Sequence, residues 1–187
     1  LPNPEDETMQ PIPFAGMLTG LALALAVSAA PIEAADPAAG RWDFEDAALG
    51  PPPGWLATPT GAWEIRAAPD SPAGPHALYQ KGKGSGSAFN IAVIAGSRFG
   101  DLTLAVHLKA VAGEDDQGGG LVWRYRDPEN YYVARYNPLE DNLRVYKVVN
   151  GARRQLDSAR VSLPAGWHRV EVRMTGSRIT CGLDGKT

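Results

Sequence analysis

The sequence of 187 residues contains a single cysteine, Cys181. One cysteine cannot form an intrachain disulfide, a thiolate metal cluster or a Cys-x-x-Cys redox pair. Disulfide scaffolds and dithiol redox enzymes are therefore excluded. Because Cys181 lies in a run of alternating apolar residues, we expect it to be a small buried core thiol.

Basic residues are missing from the first 40 positions, since no Lys or Arg precedes Arg41. Residues 1–40 carry five acids, so residues 41–187 hold 18 bases against 16 acids, the chain's 21 acids less those five. A near-neutral domain without a basic run lacks the phosphate-neutralising footprint of a nucleic-acid binder. We expect no nucleic-acid partner.

A long apolar run is also lacking, because Met17–Ala30 is shorter than the roughly 20 residues that a membrane-spanning helix needs. Its Leu and Ala composition, with small residues as far as Ala34, predicts a signal peptide over 17–34. Residues 1–16 then form an upstream acidic, Pro-rich segment outside the fold. We expect a secreted or periplasmic protein with no transmembrane span; the alternative is an apolar helix packed on the domain.

Helical periodicity is absent from Arg41 onward, whereas the period-2 alternation of half-buried strands recurs, most clearly in Leu102–Ala110. Nine further short strands are predicted, separated by turn signals such as Asn137-Pro138 and Asn150-Gly151. The pattern predicts one all-β domain over 35–187, a sandwich or a barrel. The Pro-rich segment Pro51–Pro75 is expected to be a surface connection, with an edge strand at Trp63–Ala67.

The sequence ends just after Leu183-Asp184-Gly185, a hairpin turn signal with no return strand. A sandwich that stopped there would leave its last strand with unpaired backbone groups. We therefore expect a C-terminally truncated fragment of a longer domain.

Three segments carry a family resemblance: Asp116–Arg124, Asn130–Lys147, and Trp167-His168 together with Leu183-Asp184-Gly185. In these the chain resembles the concanavalin A-like lectin/glucanase superfamily, and more narrowly the 3-keto-disaccharide hydrolase domains, a group formerly of unknown function. The resemblance implies a two-sheet antiparallel jelly-roll sandwich whose concave face accepts carbohydrate in many relatives.

Strand parity selects candidate ligand-binding residues within one meander of strands. Arg124, Arg135, Asn137 and Arg144 are predicted to line one sheet face, with Tyr131 or Tyr146 as a stacking platform. Arginine forks and amides give sugars directional hydrogen bonds, and an aromatic ring covers a sugar's apolar face. Gln117, before three glycines that permit close ligand approach, completes the set. The alternative is that these arginines are solvated residues on the sheet surface or pair across strands with Glu140, Asp141 or Glu171.

Metal and catalytic candidates are weaker. Asp115 and Asp116 lie in an acidic loop of the kind that binds calcium in some superfamily relatives; the alternative is a solvated loop, and no other cofactor is expected. His168 is predicted to be a core histidine and His107 a surface one. The Glu-x-Asp-x-x-Glu strand of family 16 glucanases is absent, so catalytic residues stay unassigned.

Two hypotheses of function follow. The first is an exported carbohydrate-binding or carbohydrate-processing domain, with 3-keto-disaccharide hydrolysis implied by the resemblance. The second is a non-catalytic structural or interaction module of the cell envelope, which predicts a concave face filled by side chains such as Trp123 and Tyr125. The sequence does not predict an oligomeric state.

Overall fold

A computed structural model describes residues 40–82, 88–114 and 116–187. The predicted leader, residues 1–34, and Asp115 therefore lie outside the described residues. Within the described part of the chain, no helix is long and apolar enough to cross a membrane.

The described residues form eleven strands and no helix, which confirms the all-β prediction. The strands are β1 Leu56–Thr60, β2 Ala62–Ala67, β3 His76–Lys81, β4 Ile91–Ile94, β5 Leu102–Lys109, β6 Gly119–Asp127, β7 Asn130–Asn137, β8 Asn142–Val149, β9 Ala152–Arg160, β10 Trp167–Thr175 and β11 Arg178–Leu183.

All strand pairs are antiparallel and fall into four sheets. The largest has the order β6-β7-β8-β9 and is a meander of three hairpins. A second sheet has the order β11-β10-β5, and two pairs, β1-β4 and β2-β3, complete the fold. The predicted turn at Asn150-Gly151 has positive φ at both residues, 50° and 75°, as a two-residue hairpin requires. Asp184 and Gly185 form the same kind of turn after β11, with φ of 49° and 78°.

The main core lies between the four-stranded and three-stranded sheets, as in a β-sandwich. Val170, Val172 and Met174 of β10 pack against the inner face of the large sheet, and each is almost inaccessible to solvent. The inner-face residues of the large sheet are Leu121, Trp123, Ala134, Tyr136, Leu143 and Val145. Along β5, half-buried residues alternate with exposed ones, and along β10 buried residues alternate with less buried ones, because each strand turns one face to the core.

The opposite, outer face of the large sheet carries a second, smaller core. Phe89, Ile91 and Val93 cover Tyr131 and Val133 of β7 and their neighbours on β8, Tyr146 and Val148. Only part of the outer face is covered in this way. The other part carries Arg135, Asn137, Asn142 and Arg144, and it forms the candidate site.

Strand β1 is absent from the sequence prediction, which assigned Pro51–Pro75 to a surface connection apart from one edge strand. Pro59 lies inside β1, and its lack of an N–H argued against a strand. The proline is tolerated because β1 pairs with β4 alone, so one side of the strand needs no ladder bonds.

Candidate functional site

The site is centred on Arg135, a buried guanidinium in the middle of β7. Its side chain reaches two carboxylates: Nη1 donates to Asp116 Oδ1 at 2.9 Å, and Nη2 donates to Glu140 Oε2 at 2.8 Å. Arg135 is only 7% exposed, yet its Nε has no partner among the described residues. Buried arginines normally need such carboxylates, because an unpaired buried charge is costly.

Glu140 joins two strands through one oxygen. Its Oε2 accepts from Arg135, from Arg144 Nη1 at 3.1 Å and from the Asn142 amide at 3.1 Å. Arg135 and then Asn142 hold the pKa of Glu140 below its usual value, although burial opposes them. The carboxylate is therefore an anion at neutral pH. Burial by itself would lower the pKa of Arg135, but the bonds to Glu140 and Tyr146 outweigh it and the pKa is raised.

Asn137 has a structural role beneath the site. It is fully buried; its Oδ1 accepts from the Leu139 N–H at 3.0 Å, and its amide nitrogen donates to Asp116. The side chain thus fixes the β7–β8 turn and positions the carboxylate that faces Arg135.

A groove of about 370 Å³ opens beside these groups. Its walls are residues 139–142 of the β7–β8 turn and Arg144, Ser158 and Arg160. The last two come from β9, where Ser158 pairs with Arg144 and Arg160 pairs with Asn142. The groove therefore alternates guanidinium donors with carboxylate acceptors.

A register shift in β9 brings Ser158 and Arg160 to the groove. From the Asn150-Gly151 turn to Tyr146 and Gln155 the pairing is regular, and it then slips by one residue so that Val145 faces Asp157. One extra residue exchanges the two faces of a strand beyond that point. Sequence parity missed Arg160 because nothing in the sequence marks this bulge.

A second bulge removes Arg124 from the site, so the prediction that it shares a face with Arg135 is wrong. Pairing in β6 is irregular between Trp123 and Asp127, and Arg124 has a φ of 49°. Its guanidinium lies 5.7 Å from the ring centre of Tyr132 and donates to the carbonyl of Gly176. Tyr125 moves the other way, onto the outer-face core with Val122 rather than beside Trp123.

The two predicted aromatic platforms are covered. Tyr131 and Tyr146 are 4% and 6% exposed, respectively, beneath Phe89, and Arg153 lies 5.2 Å from the ring centre of Tyr146. Neither ring offers a free face for stacking, because β4 and the segment before it pack over them. The Tyr146 hydroxyl still takes part, at 3.5 Å from both Arg135 Nη2 and Arg144 Nη1.

Gln117 uses its amide within its own loop, where Nε2 donates to the carbonyl of Gly113 at 2.7 Å. Its neighbour Asp116 is engaged by Arg135 and Asn137. No group of three or more His, Cys, Asp or Glu side chains able to hold a metal occurs among residues 40–82, 88–114 and 116–187. The calcium prediction involves Asp115, which is not described, and it stays a prediction.

The structure thus brings together Arg135, Asn137, Arg144 and the Tyr146 hydroxyl. Arg135 and Arg144 also pair with Glu140, as the alternative to a ligand-binding role predicted. Elsewhere, His168 is a paired core histidine as predicted, with Nδ1 2.7 Å from Asp184 Oδ2 and Nε2 2.8 Å from the carbonyl of Pro164.

Comparison with solved structures identifies the fold of the chain. No protein-family model matches the chain, and no curated protein sequence matches it. Among solved structures, the chain is similar to the carbohydrate binding module CBM66 from Bacillus subtilis. The identity is 19% and the TM-score 0.57, over 71% of this chain and 75% of the module.

The chain shares a β-sandwich fold with that module. Identity at this level identifies the architecture and leaves the site to be argued from its own residues. The fold predicted from the sequence is thereby confirmed. The narrower resemblance to 3-keto-disaccharide hydrolase domains stays a prediction.

Proposed function

We propose that the groove beside Arg135 binds a carbohydrate. The observation that carries the proposal is the combination of donors and acceptors in the walls of one groove: Arg144 and Arg160 beside Glu140 and Asp141. Sugar hydroxyls both donate and accept, so such a surface bonds neighbouring hydroxyls in a fixed direction. The fold shared with a carbohydrate binding module supports the same function.

The covered tyrosines determine the mode of binding. Because Tyr131 and Tyr146 present no free ring, recognition uses hydrogen bonds to the edge of a sugar rather than stacking on its face. A groove of about 370 Å³ is at the small end of ligand pockets, which suits one end of a glycan better than a long chain.

The test is a panel of neutral glycans on an array, followed by titration calorimetry of the positives. Arg144→Ala removes a half-buried wall residue and should weaken binding about tenfold, as the loss of a charge-assisted hydrogen bond does. Arg173→Gln is the matched control, since Arg173 is exposed on the far side of β10. Equal binding by both variants, or no binding to any glycan, would refute the proposal.

Glycoside hydrolysis is the second candidate, and the flanking of Arg135 by Asp116 and Glu140 favours it. Two nearby carboxyls are the usual requirement for glycosidic bond cleavage. Against it, a general acid needs a raised pKa, whereas the pKa of Glu140 is lowered. Incubation with a 3-keto-disaccharide distinguishes hydrolysis from binding. Release of the keto-sugar by the unmodified protein, abolished in Glu140→Gln, would identify a hydrolase. Intact substrate would support binding without hydrolysis.

One observation supports the alternative function, a non-catalytic interaction module of the cell envelope. Phe89, Ile91 and Tyr125 cover part of the outer face, so that part serves packing rather than ligand binding. We also propose export through the leader over 17–34. Expression with this segment, followed by mass spectrometry of the processed N-terminus, should find a chain that starts at Ala35.

A further inference from the structure

A second cluster of functional groups lies at the other end of the large sheet, on its inner face. It consists of Arg124 and Arg126 of β6, Lys147 of β8 and Arg154 of β9, and we name it the basic stripe. Arg124 and Lys147 lie close to the Tyr132 ring of β7, and Arg154 lies beside Lys147 on the next strand. Arg124, Arg126, Tyr132 and Lys147 line one pocket of about 370 Å³, which contains no acidic side chain.

Backbone register places the stripe on one face. Trp123 pairs with Tyr132, Tyr132 with Lys147, and Lys147 with Arg154, and directly opposed residues point to the same side of a sheet. The bulge in β6 adds Arg124, whose guanidinium lies 5.7 Å from the Tyr132 ring centre, while Lys147 Nζ lies at 5.6 Å. One ring therefore orients two cations.

The stripe carries an excess of positive charge, although Arg126 lies next to Asp127 in the chain. Lys147 and Arg154 are directly opposed like charges, an arrangement that destabilises a strand pair. No ion pair joins any of the four cations to a carboxylate within the described ranges.

Two carboxylates close to β6, Asp101 and Asp127, are engaged by other groups. Asp101 accepts from the N–H of Gly176, at the turn that Arg124 also contacts. Asp127 accepts from the N–H of Glu129 and the amide of Asn130. The four cations of the stripe therefore form no ion pair among the described residues. They are available to bind an anionic ligand.

We propose that the basic stripe is a second binding site, separate from the groove, for an acidic polysaccharide whose sugars carry carboxylates. The stripe crosses four strands spaced about 4.8 Å apart, so its cations extend over about 14 Å. That length suits an extended chain with a repeated negative charge.

The aromatic ring argues for acidic sugars over nucleic acid. Single-stranded nucleic acids bind through open rings on which bases stack. Tyr132 instead packs on Trp123, with ring centres 5.8 Å apart, and carries two cations close to its ring. It orients the cations and leaves no platform for a base.

The test is titration calorimetry of hexagalacturonate against its fully methyl-esterified form at low ionic strength, over a salt series. The acid should bind at least about tenfold more tightly than the neutral ester, and added salt should weaken it. The double variant Lys147→Gln/Arg154→Gln should lose about tenfold in affinity, since each residue is a separate charged donor. Arg173→Gln, the exposed control on β10, should bind as the unmodified protein does.

Three results would overturn the proposal: equal binding of acid and ester, equal binding by the double variant and the control, or tighter binding of a single-stranded oligonucleotide of the same charge. The groove is monitored in parallel with neutral glycans. The double variant should leave that binding unchanged, and Arg144→Ala should leave hexagalacturonate binding unchanged. Failure of one site is therefore distinguishable from failure of the other.

Discussion

Removing the carboxylates around Arg135 should expose how strongly a buried guanidinium depends on its partners. Glu140→Gln keeps the shape of the side chain and removes its charge. A fully buried pair broken on one side costs about 3–5 kcal/mol. The Glu140 side chain is 43% exposed, so solvent screens much of this, and we expect about 1–2 kcal/mol. Asp116→Asn should cost less than about 1 kcal/mol, because the side chain of Asp116 is 64% exposed.

The double variant Glu140→Gln/Asp116→Asn tests most directly how far Arg135 depends on its two carboxylates. With both carboxylates gone, Arg135 keeps its charge in a site that is 7% exposed and has no counter-ion there. Each single variant leaves one carboxylate in place, so the two costs should not add. We expect the double variant to lose about 3–5 kcal/mol, more than the sum of the singles.

Urea unfolding measured by tryptophan fluorescence gives these free energies, and pH gives an independent check. The pKa of Glu140 is lowered in the folded protein, so its contribution is complete above the unfolded pKa of about 4.3 and is lost as pH falls through the folded value. The gap between the unmodified protein and Glu140→Gln should therefore close below about pH 4. A gap that is constant with pH, or a double variant no worse than the summed singles, would contradict this account of Arg135.

Three more predictions concern the framework of the sandwich. Burial raises the pKa of Cys181 to about 11, so the folded protein should react with thiol reagents at pH 8 far more slowly than the urea-unfolded chain; equal rates would contradict the burial. Gly120→Ala places a methyl group 1.8 Å from a carbonyl oxygen of β7 and should lower the free energy of unfolding by more than about 2 kcal/mol, whereas Gly119→Ala, with open space around it, should cost less than about 1 kcal/mol; similar midpoints in urea would refute the close approach. Asp184→Asn removes the anion bonded to the buried imidazole of β10 and should cost about 1–3 kcal/mol at pH 7, with the loss shrinking in acid because the pKa of Asp184 is lowered in the folded state; a thermal melt that does not change would rule this out.

Most of the sandwich can be predicted from local sequence, and the reasons are physical. Apolar and polar residues alternate in Leu102–Lys109 and Trp167–Thr175 because one face of each strand is turned to the core. This pattern can be read from each strand by itself. The turn at Asn150-Gly151 is equally local, because two adjacent residues with positive φ are enough to form it. Strand β1 escaped prediction because its tolerance of Pro59 depends on a distant partner, β4.

Some features of the candidate site can likewise be predicted from local sequence, and others depend on the tertiary structure. The sequence by itself determined that Arg135, Asn137, Arg144 and Tyr146 share a face, because two uninterrupted strands keep period 2. Only the tertiary structure decided that Arg124 moves to the basic stripe and that Arg160 joins the groove. In β9 a one-residue bulge exchanges the two faces of the strand beyond it. In β6 two extra residues lie between the pairings of Trp123 and Asp127, and Arg124 lies within that irregular stretch. Both irregularities are set by pairing with a neighbouring strand. Likewise, the cover of Phe89 over both tyrosines is a contact between segments more than 40 residues apart, and no local pattern records it.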